Sequence, residues 1–265
     1  MTTAGMINYA HRGASAYAPE NTFSAFYLGL ALGADGIETD IRETSDRVLV
    51  LFHDGTMKRI TGIDRPIRDF SYEELLQLDF GGHKGPEYVR EKIVALDDFL
   101  KYFGGRPVHL ALEIKQEGIE QAVLECVTRH GCAGQVIITS FSWQALESVR
   151  RFDPNIGLGF LTERIEDALL ASMADRNIRQ ICPRASSLTA ERVADAQARG
   201  FTVRAWGVRD PDLMERAVAC GVDGMTLDFP DKLAALALAK GIRPPEMTPW
   251  RPGSLNIDTR SRVDP

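Results

Sequence analysis

Residues 7–41 read INYAHRGASAYAPENTFSAFYLGLALGADGIETDI, and the fold is decided here. Two short apolar runs, Ile7–Ala10 and Gly36–Ile41, have the length and character of buried strands. Between them Phe23, Phe26, Tyr27 and Leu30 fall at i, i+3, i+4 and i+7, one stripe of a helix, and read as core packing. Asn21 or Thr22 can cap its start and Gly33 can end it. Strand, amphipathic helix and strand make one βαβ unit, which needs a parallel sheet.

The alternation continues outward. Further strand candidates are Val108–Ile114, Gln135–Thr139, Ile156–Phe160, Gln180–Pro183, Thr202–Trp206 and Gly224–Leu227. Helical stripes lie at Ile119–His130, Gln144–Arg151, Ile165–Arg176, Thr189–Arg199 and Leu213–Cys220, and every strand but the last is expected to lead into a helix. Eight units fit a (β/α)₈ TIM barrel, with a doubly wound open sheet as the structural alternative. Two segments depart from the alternation. Val48–Phe52 is an extra strand, and the polar, glycine-bearing run Asp54–Lys92, with one helix at Tyr72–Leu78, reads as a small insertion after that hairpin, at about 55–95. The expected organisation is one barrel over residues 1–242 and a proline-rich tail at 243–265.

Composition narrows the function. The chain has 265 residues, 37 acidic against 31 basic, a formal charge of -6 and no basic stripe, which argues against a nucleic-acid partner. No apolar run reaches the roughly 20 residues of a membrane helix, so no stable membrane insertion is expected. The first residues lack the basic and apolar regions of a secretory signal. Cys126, Cys132, Cys182 and Cys220 form no CxxC pair and read as reduced core residues of a cytoplasmic protein, against a disulfide or zinc site. A tail reaching a neighbouring subunit would make a homo-oligomer.

The chemistry collects where strands end. His11-Arg12-Gly13 closes the first, Glu38 and Asp40 the second, His53-Asp54 the extra strand, Glu113 and Lys115 the third, Ser140-Phe141 the fourth and Trp206 the seventh. In a (β/α)₈ barrel the C-terminal strand ends form the active-site face. Side chains two apart on a strand share a face, so Glu38 aligns with Asp40 and Glu113 with Lys115. Three carboxylates in one cleft repel each other, and a hard divalent cation, Mg²⁺ or Ca²⁺, resolves that cost. The bland alternative is solvated strand ends or ion pairs. His11 and His53 are placed for acid–base work; His83, His109 and His130 have no such setting, and His83 and His109 read as structural. Arg12 and Lys115 suit a phosphoryl group; equally, Arg12 could pair with Glu38 or Asp40 and Lys115 with Glu113. Phe141 and Trp206 could wall a small ligand or pack the barrel.

Together His11-Arg12-Gly13, Pro19-Glu20-Asn21-Thr22, Glu38-x-Asp40, His53-Asp54, Glu113-Ile114-Lys115, Ser140-Phe141, Trp206 and Asp223–Asp228 are similar to the glycerophosphodiester phosphodiesterase family over roughly residues 7–240. The resemblance implies a (β/α)₈ barrel with an insertion after His53 and a divalent metal on Glu38, Asp40 and Glu113. It further implies His11 and His53 as the acid/base pair, and Arg12 and Lys115 on the phosphate. Trp206 is followed by Gly207-Val208-Arg209 where the family often has Thr-Val-Asn, and Ile60 stands where threonine is common; both positions lie where the alcohol would be recognised. The expected reaction is metal-dependent hydrolysis of a small glycerophosphodiester to glycerol 3-phosphate and an alcohol. The alternatives are cleavage of lysophospholipids over an apolar rim of Phe70, Tyr72, Phe80 and Tyr88, a Schiff-base lyase using Lys115, and a non-catalytic phosphoester-binding barrel.

Overall fold

A computed structural model describes residues 5–245. Strands and helices alternate as β1 (Ile7–His11), α1 (Phe23–Ala31), β2 (Gly36–Glu43), β3 (Leu49–Leu51), α2 (Lys58–Thr61), α3 (Tyr72–Leu76), α4 (Leu96–Phe103), β4 (His109–Ile114), α5 (Glu120–Arg129) and β5 (Val136–Ser140). They continue as α6 (Trp143–Phe152), β6 (Gly157–Thr162), α7 (Asp167–Asp175), β7 (Gln180–Pro183), α8 (Ala190–Ala198), β8 (Thr202–Val208), α9 (Pro211–Ala219), β9 (Gly224–Leu227) and α10 (Pro230–Lys240). Helix starts follow local chemistry. Thr22, Ser142, Thr189 and Asp210 each accept a backbone N–H of the first turn of α1, α6, α8 and α9.

The sheet runs β1-β9-β8-β7-β6-β5-β4-β2, and pairing of β1 with β2 closes it. All eight of these strands are parallel, so the architecture is the (β/α)₈ barrel, and closure excludes the open doubly wound sheet. The extra strand β3 stands outside the ring. β1 covers β2 from Gly36 to Glu38, and β3 then pairs antiparallel with Ile41–Glu43. Phe52 donates its backbone N–H to the Asp40 carbonyl (2.9 Å), on the edge from which Arg12 reaches the Glu38 carbonyl (2.8 Å). β2 therefore projects past the rim, and the hairpin returns His53 toward the mouth.

Two apolar cores follow. The large one lies between the barrel and its helices and includes Phe26, Ile37, Phe99, Leu110, Ile138 and Leu227. The smaller one, Val50, Phe52, Met57, Ile60, Ile67, Leu75, Phe80 and Ile93, belongs to the segment after β3. That segment holds α2, α3 and two single turns of 3₁₀ helix, not one helix alone.

Several expectations need correction. The last strand does lead into a helix: α10 begins with Pro230 at its first turn and ends at Gly241 in the left-handed region. Helix α4, absent from the sequence pattern above, packs Phe99 and Phe103 against Phe26 of α1. Tyr27 is not core; it is exposed and meets Tyr102 edge-on. The four cysteines are free, but only three are buried and Cys220 is half-buried. Most of the proline-rich tail, 246–265, and any role it has between subunits, lies outside the described residues.

Candidate active site at the barrel mouth

Strand register assembles the site. β1 and β2 pair His11 with Glu38, and β2 and β4 pair Asp40 with Glu113. Carboxylate oxygens of Glu38, Asp40 and Glu113 all lie within 4.8 Å of one another, and all three residues are buried. His11 Nε2 is 3.9 Å from Glu38 Oε2. Lys115 Nζ is 2.7 Å from Glu113 Oε1 and 3.4 Å from Asp40 Oδ1. Arg12 Nη1 donates to Glu20 (3.0 Å), and its Nε stands 3.1 Å from Asp40 Oδ2 without the alignment of a hydrogen bond. The ion pairs considered for Arg12 and Lys115 thus form inside the cluster itself.

A tight turn makes this approach possible. Arg12 (φ 55) and Gly13 (φ 83) both occupy the left-handed region. A Cβ on Gly13 would sit 2.4 Å from the Ala25 carbonyl carbon, so only glycine fits. Arg12 bears the local strain with a side chain in place, held by Arg12 N to Glu38 O (2.8 Å) and Asn21 N to Arg12 O (2.9 Å). Asn21, itself at φ 57, donates Nδ2 to Asp40 Oδ2 (3.2 Å) and accepts from the Thr39 hydroxyl (2.7 Å).

The three carboxyl groups are shifted in different directions. Burial pushes Glu113 up to about 7, with Lys115 opposing and Asp40 adding to it. Burial, then Asp40, also raises Glu38. Burial would raise Asp40 as well, but the Arg12 guanidinium and then Lys115 outweigh it and hold that carboxyl well below the usual range. Two buried oxygens, Glu38 Oε2 and Asp40 Oδ1, accept no hydrogen bond among the described residues. Buried carboxylate oxygens without a hydrogen bond are costly, and an all-oxygen donor set suits a hard cation such as Mg²⁺ or Ca²⁺. The residues present therefore fit a divalent metal.

Each histidine leans on a carboxylate. His11 Nδ1 meets Asp228 Oδ1 at 2.5 Å, and Ser15 Oγ donates to the same oxygen at 2.9 Å. His53 Nδ1 meets Asp54 Oδ1 at 2.7 Å, while Arg59 Nε donates to Asp54 Oδ2 at 2.7 Å. An ionised carboxylate only accepts, so Nδ1 carries the proton and Nε2 is left to exchange one. Burial and Arg12 depress His11, but the Asp228 hydrogen bond and Glu38 more than offset them and the imidazole sits above its ordinary value. Burial leads in lowering His53, against the pull of Asp40. Asp54 and Asp228 stood in quoted motifs without a role. Glu20, which bridges Arg12 and Arg59, and Asn21 were missed likewise. Only adjacency to His53 marked Asp54, and only a strand end marked Asp228.

The cavity above the carboxylates measures about 320 Å³. Phe141 and Trp206 wall it, edge to face at 5.3 Å, with Leu161 beside them. Trp206 Nε1 donates to the Thr162 carbonyl (3.0 Å), which fixes the ring. Below lies buried Arg204, bonded to Thr226 (2.8 Å) and Gln180 (3.0 Å) and stacked over Tyr9. A second grouping, Asp97, Cys126 and His130, lies away from the mouth, and its aspartate is already paired with Arg129 and His130.

The chain is similar to known proteins over most of its length. A family model described as the glycerophosphoryl diester phosphodiesterase family matches residues 11–232. A glycerophosphodiester phosphodiesterase of Caldanaerobacter subterraneus subsp. tengcongensis is 32% identical over 239 residues, covering 88% of this chain and 98% of the relative. Among solved structures, an Oleispira antarctica phosphodiesterase in complex with the product sn-glycerol-3-phosphate superposes with a TM-score of 0.78 at 29% identity, covering 87% of this chain and 96% of the other. A glycerophosphodiester phosphodiesterase of Agrobacterium tumefaciens gives a TM-score of 0.76 at 26% identity, with 87% and 99% covered.

Proposed function

This chain belongs to the glycerophosphoryl diester phosphodiesterase family, and on that premise we propose that it hydrolyses glycerophosphodiesters to glycerol 3-phosphate and an alcohol in a metal-dependent reaction. It is a phosphoric diester hydrolase. The observation that carries the finer reading is the buried Glu38–Asp40–Glu113 cluster, with two carboxylate oxygens left without a hydrogen bond and a carboxylate-held histidine on either flank.

Glu38, Asp40 and Glu113 would hold the cation. When bound, Mg²⁺ or Ca²⁺ supplies charge stabilisation to the phosphoryl oxygens. Lys115 and Arg12 add positive charge on the same side of the site, and Arg12 presents a planar donor set matched to phosphate. One histidine takes a proton from the nucleophile at Nε2, and the other gives a proton to the departing alkoxide at Nε2. Asp228 and Asp54 keep both rings in the tautomer this requires. The nucleophile is water or the neighbouring glycerol hydroxyl; the second route passes through a cyclic phosphate that water then opens. Phe141 and Trp206 wall the glycerol or alcohol portion.

The other readings fare less well. Lys115 is an ammonium held by Glu113 and Asp40 and raised in pKa, burial opposing, whereas a Schiff base needs a free amine. Phe80 is buried, Phe70 and Tyr72 pack on the insertion core, and the Tyr88 hydroxyl bonds the Tyr17 carbonyl, so these aromatics do not assemble an acyl-chain rim. We read residues 1–242 as one barrel unit carrying its insertion at about 55–95. No described helix is long and apolar enough to cross a membrane. The four free cysteines support a cytoplasmic setting, and the charge of -6 supports a small-molecule partner over nucleic acid. The test is hydrolysis of glycerophosphoglycerol by the full chain, with EDTA and after restoring Mg²⁺ or Ca²⁺. Activity lost to EDTA and regained with metal is expected; turnover insensitive to EDTA would remove the metal from the reading.

A further inference from the structure

On the far side of His53 the mouth opens into a second cleft of about 580 Å³. It shares His53 and Lys115 with the cavity above the carboxylates, so the two spaces meet where the phosphate would sit. A phosphodiester has two ester arms, and one of them would leave the phosphate through this cleft. Its lining is one-sided: Arg42, Lys58, Arg59 and Lys115 against the single carboxylate of Asp54. Three of those cations are engaged, Lys58 with Asp64, Arg59 with Glu20 and Asp54, and Lys115 with Glu113 and Asp40. Arg42 is not. Its Nε and Nη2 both donate to the His53 carbonyl, at 3.2 and 2.8 Å. Its Nη1 makes no hydrogen bond, and it faces no carboxylate in an ion pair, among the described residues. A half-buried guanidinium with a spare pair of N–H donors is a ready anion contact.

The opposite wall makes the complementary point. A quaternary ammonium is recognised on open aromatic faces. Here the Trp206 ring already carries the Arg184 guanidinium, 4.7 Å from its centroid, and Lys115 Nζ lies 6.0 Å from the centre of Phe141. Arg209 lines the same cavity. A cationic head group would meet the protein's own cations on both arms.

We propose that the cleft beside His53 binds an anionic group on the alcohol arm, and that the enzyme selects glycerophosphodiesters whose alcohol bears a further phosphate. A phosphomonoester suits the site best, because it brings nearly two charges and three acceptor oxygens to a surface of donors. The inference rests on the hydrolysis reading above and adds the substrate class to it.

The test uses the full-length, metal-loaded enzyme and a matched pair, glycerophosphoglycerol and its terminal phosphate ester, with glycerophosphocholine as the cationic control. The phosphorylated substrate is expected to be turned over with kcat/KM about tenfold higher than its partner, as one charge-assisted contact gives. The gain should lie in KM and shrink as salt is raised, with glycerophosphocholine lowest. Arg42→Gln and, separately, Lys58→Gln should each lower the ratio between the paired substrates. The second variant guards against loss of His53 support in the first, and circular dichroism confirms that both fold. Equal rates on the pair, or a ratio unchanged in both variants, would overturn the anionic cleft while leaving hydrolysis intact. No turnover of any diester with metal present would overturn the hydrolysis reading and this inference with it.

Discussion

β1, β2 and β4 bring His11, Glu38, Asp40 and Glu113 to the mouth, and the β2–β3 hairpin adds His53; β5, β6 and β8 bring Ser140, Leu161 and Trp206. The two halves bury polar groups of different charge. On the second half Ser140 Oγ donates to the Ile114 carbonyl (3.1 Å) and Trp206 Nε1 to the Thr162 carbonyl (3.0 Å), so each satisfies backbone. On the first half Glu38 Oε2 and Asp40 Oδ1 are buried without a hydrogen bond, near His11 and Lys115, whereas the buried unpartnered atom on β5 of the second half is the neutral Thr139 hydroxyl. A fold minimising its own free energy pairs such groups. Burying carboxylate oxygens without a hydrogen bond on the first half assigns that half to binding and chemistry and the other to shape. Asp228, at the end of β9, is the exception, and it acts by holding a histidine of the first half.

Substitutions ranked by size can break this division. The largest effect is expected for Asp40→Asn. It removes the charge faced by both Arg12 and Lys115, which keep Glu20 and Glu113 as partners, at a cost of about 1–3 kcal/mol in urea unfolding, with turnover abolished. Next come His11→Ala and His53→Ala, each lowering kcat on the order of 10²–10⁴-fold in steady-state assays without loss of fold. Asp228→Asn and Asp54→Asn should cost roughly 10–100-fold, the range for outer partners of functional histidines, and should shift the pH profile. Trp206→Ala, on the shaping half, should raise KM severalfold and spare kcat; a loss matching His53→Ala would dissolve the distinction between the halves.

The smallest effect sharpens the comparison through pH. Glu113 rises from 4.5 to about 7 on folding, with burial the main cause. The folded state then keeps a proton that the unfolded chain releases above 4.5. Stability from this group is fully present below about 4.5 and is lost as pH rises through about 7. The metal-free protein should melt a few degrees lower at pH 8 than at pH 5, while Glu113→Gln flattens the slope and added Mg²⁺ or Ca²⁺ reverses it. A slope unchanged in Glu113→Gln would place the cost elsewhere.

Much of this is legible in the amino-acid sequence. The strands announced themselves as short apolar runs, and charge at their ends marked the candidate groups, because both signals are local. Helix α10 was legible too, since Pro230, an apolar-rich run and Gly241 are start and stop signals, yet the pattern was expected to end at the last strand. Tyr27 shows the reverse error: its spacing is helical, but its partner Tyr102 leaves it at the surface. Asp228 could not be assigned from its neighbourhood, because it meets His11 across 217 positions of chain. The spare donor of Arg42 was equally invisible, since its other nitrogens are fixed by a backbone carbonyl eleven residues away.

The amino-acid order by itself determined the eight-strand alternation and the residue types at the mouth, since hydrophobic period and strand punctuation act over a few neighbours. Only the tertiary structure decided which of those residues touch, which carboxylate oxygens lack a hydrogen bond, and that a cationic cleft opens beside His53. The physical reason is register. Closure of β1 on β2 sets His11 against Glu38 and pairing of β2 with β4 sets Asp40 against Glu113, and a slip of one residue would turn those side chains to the opposite face of the wall.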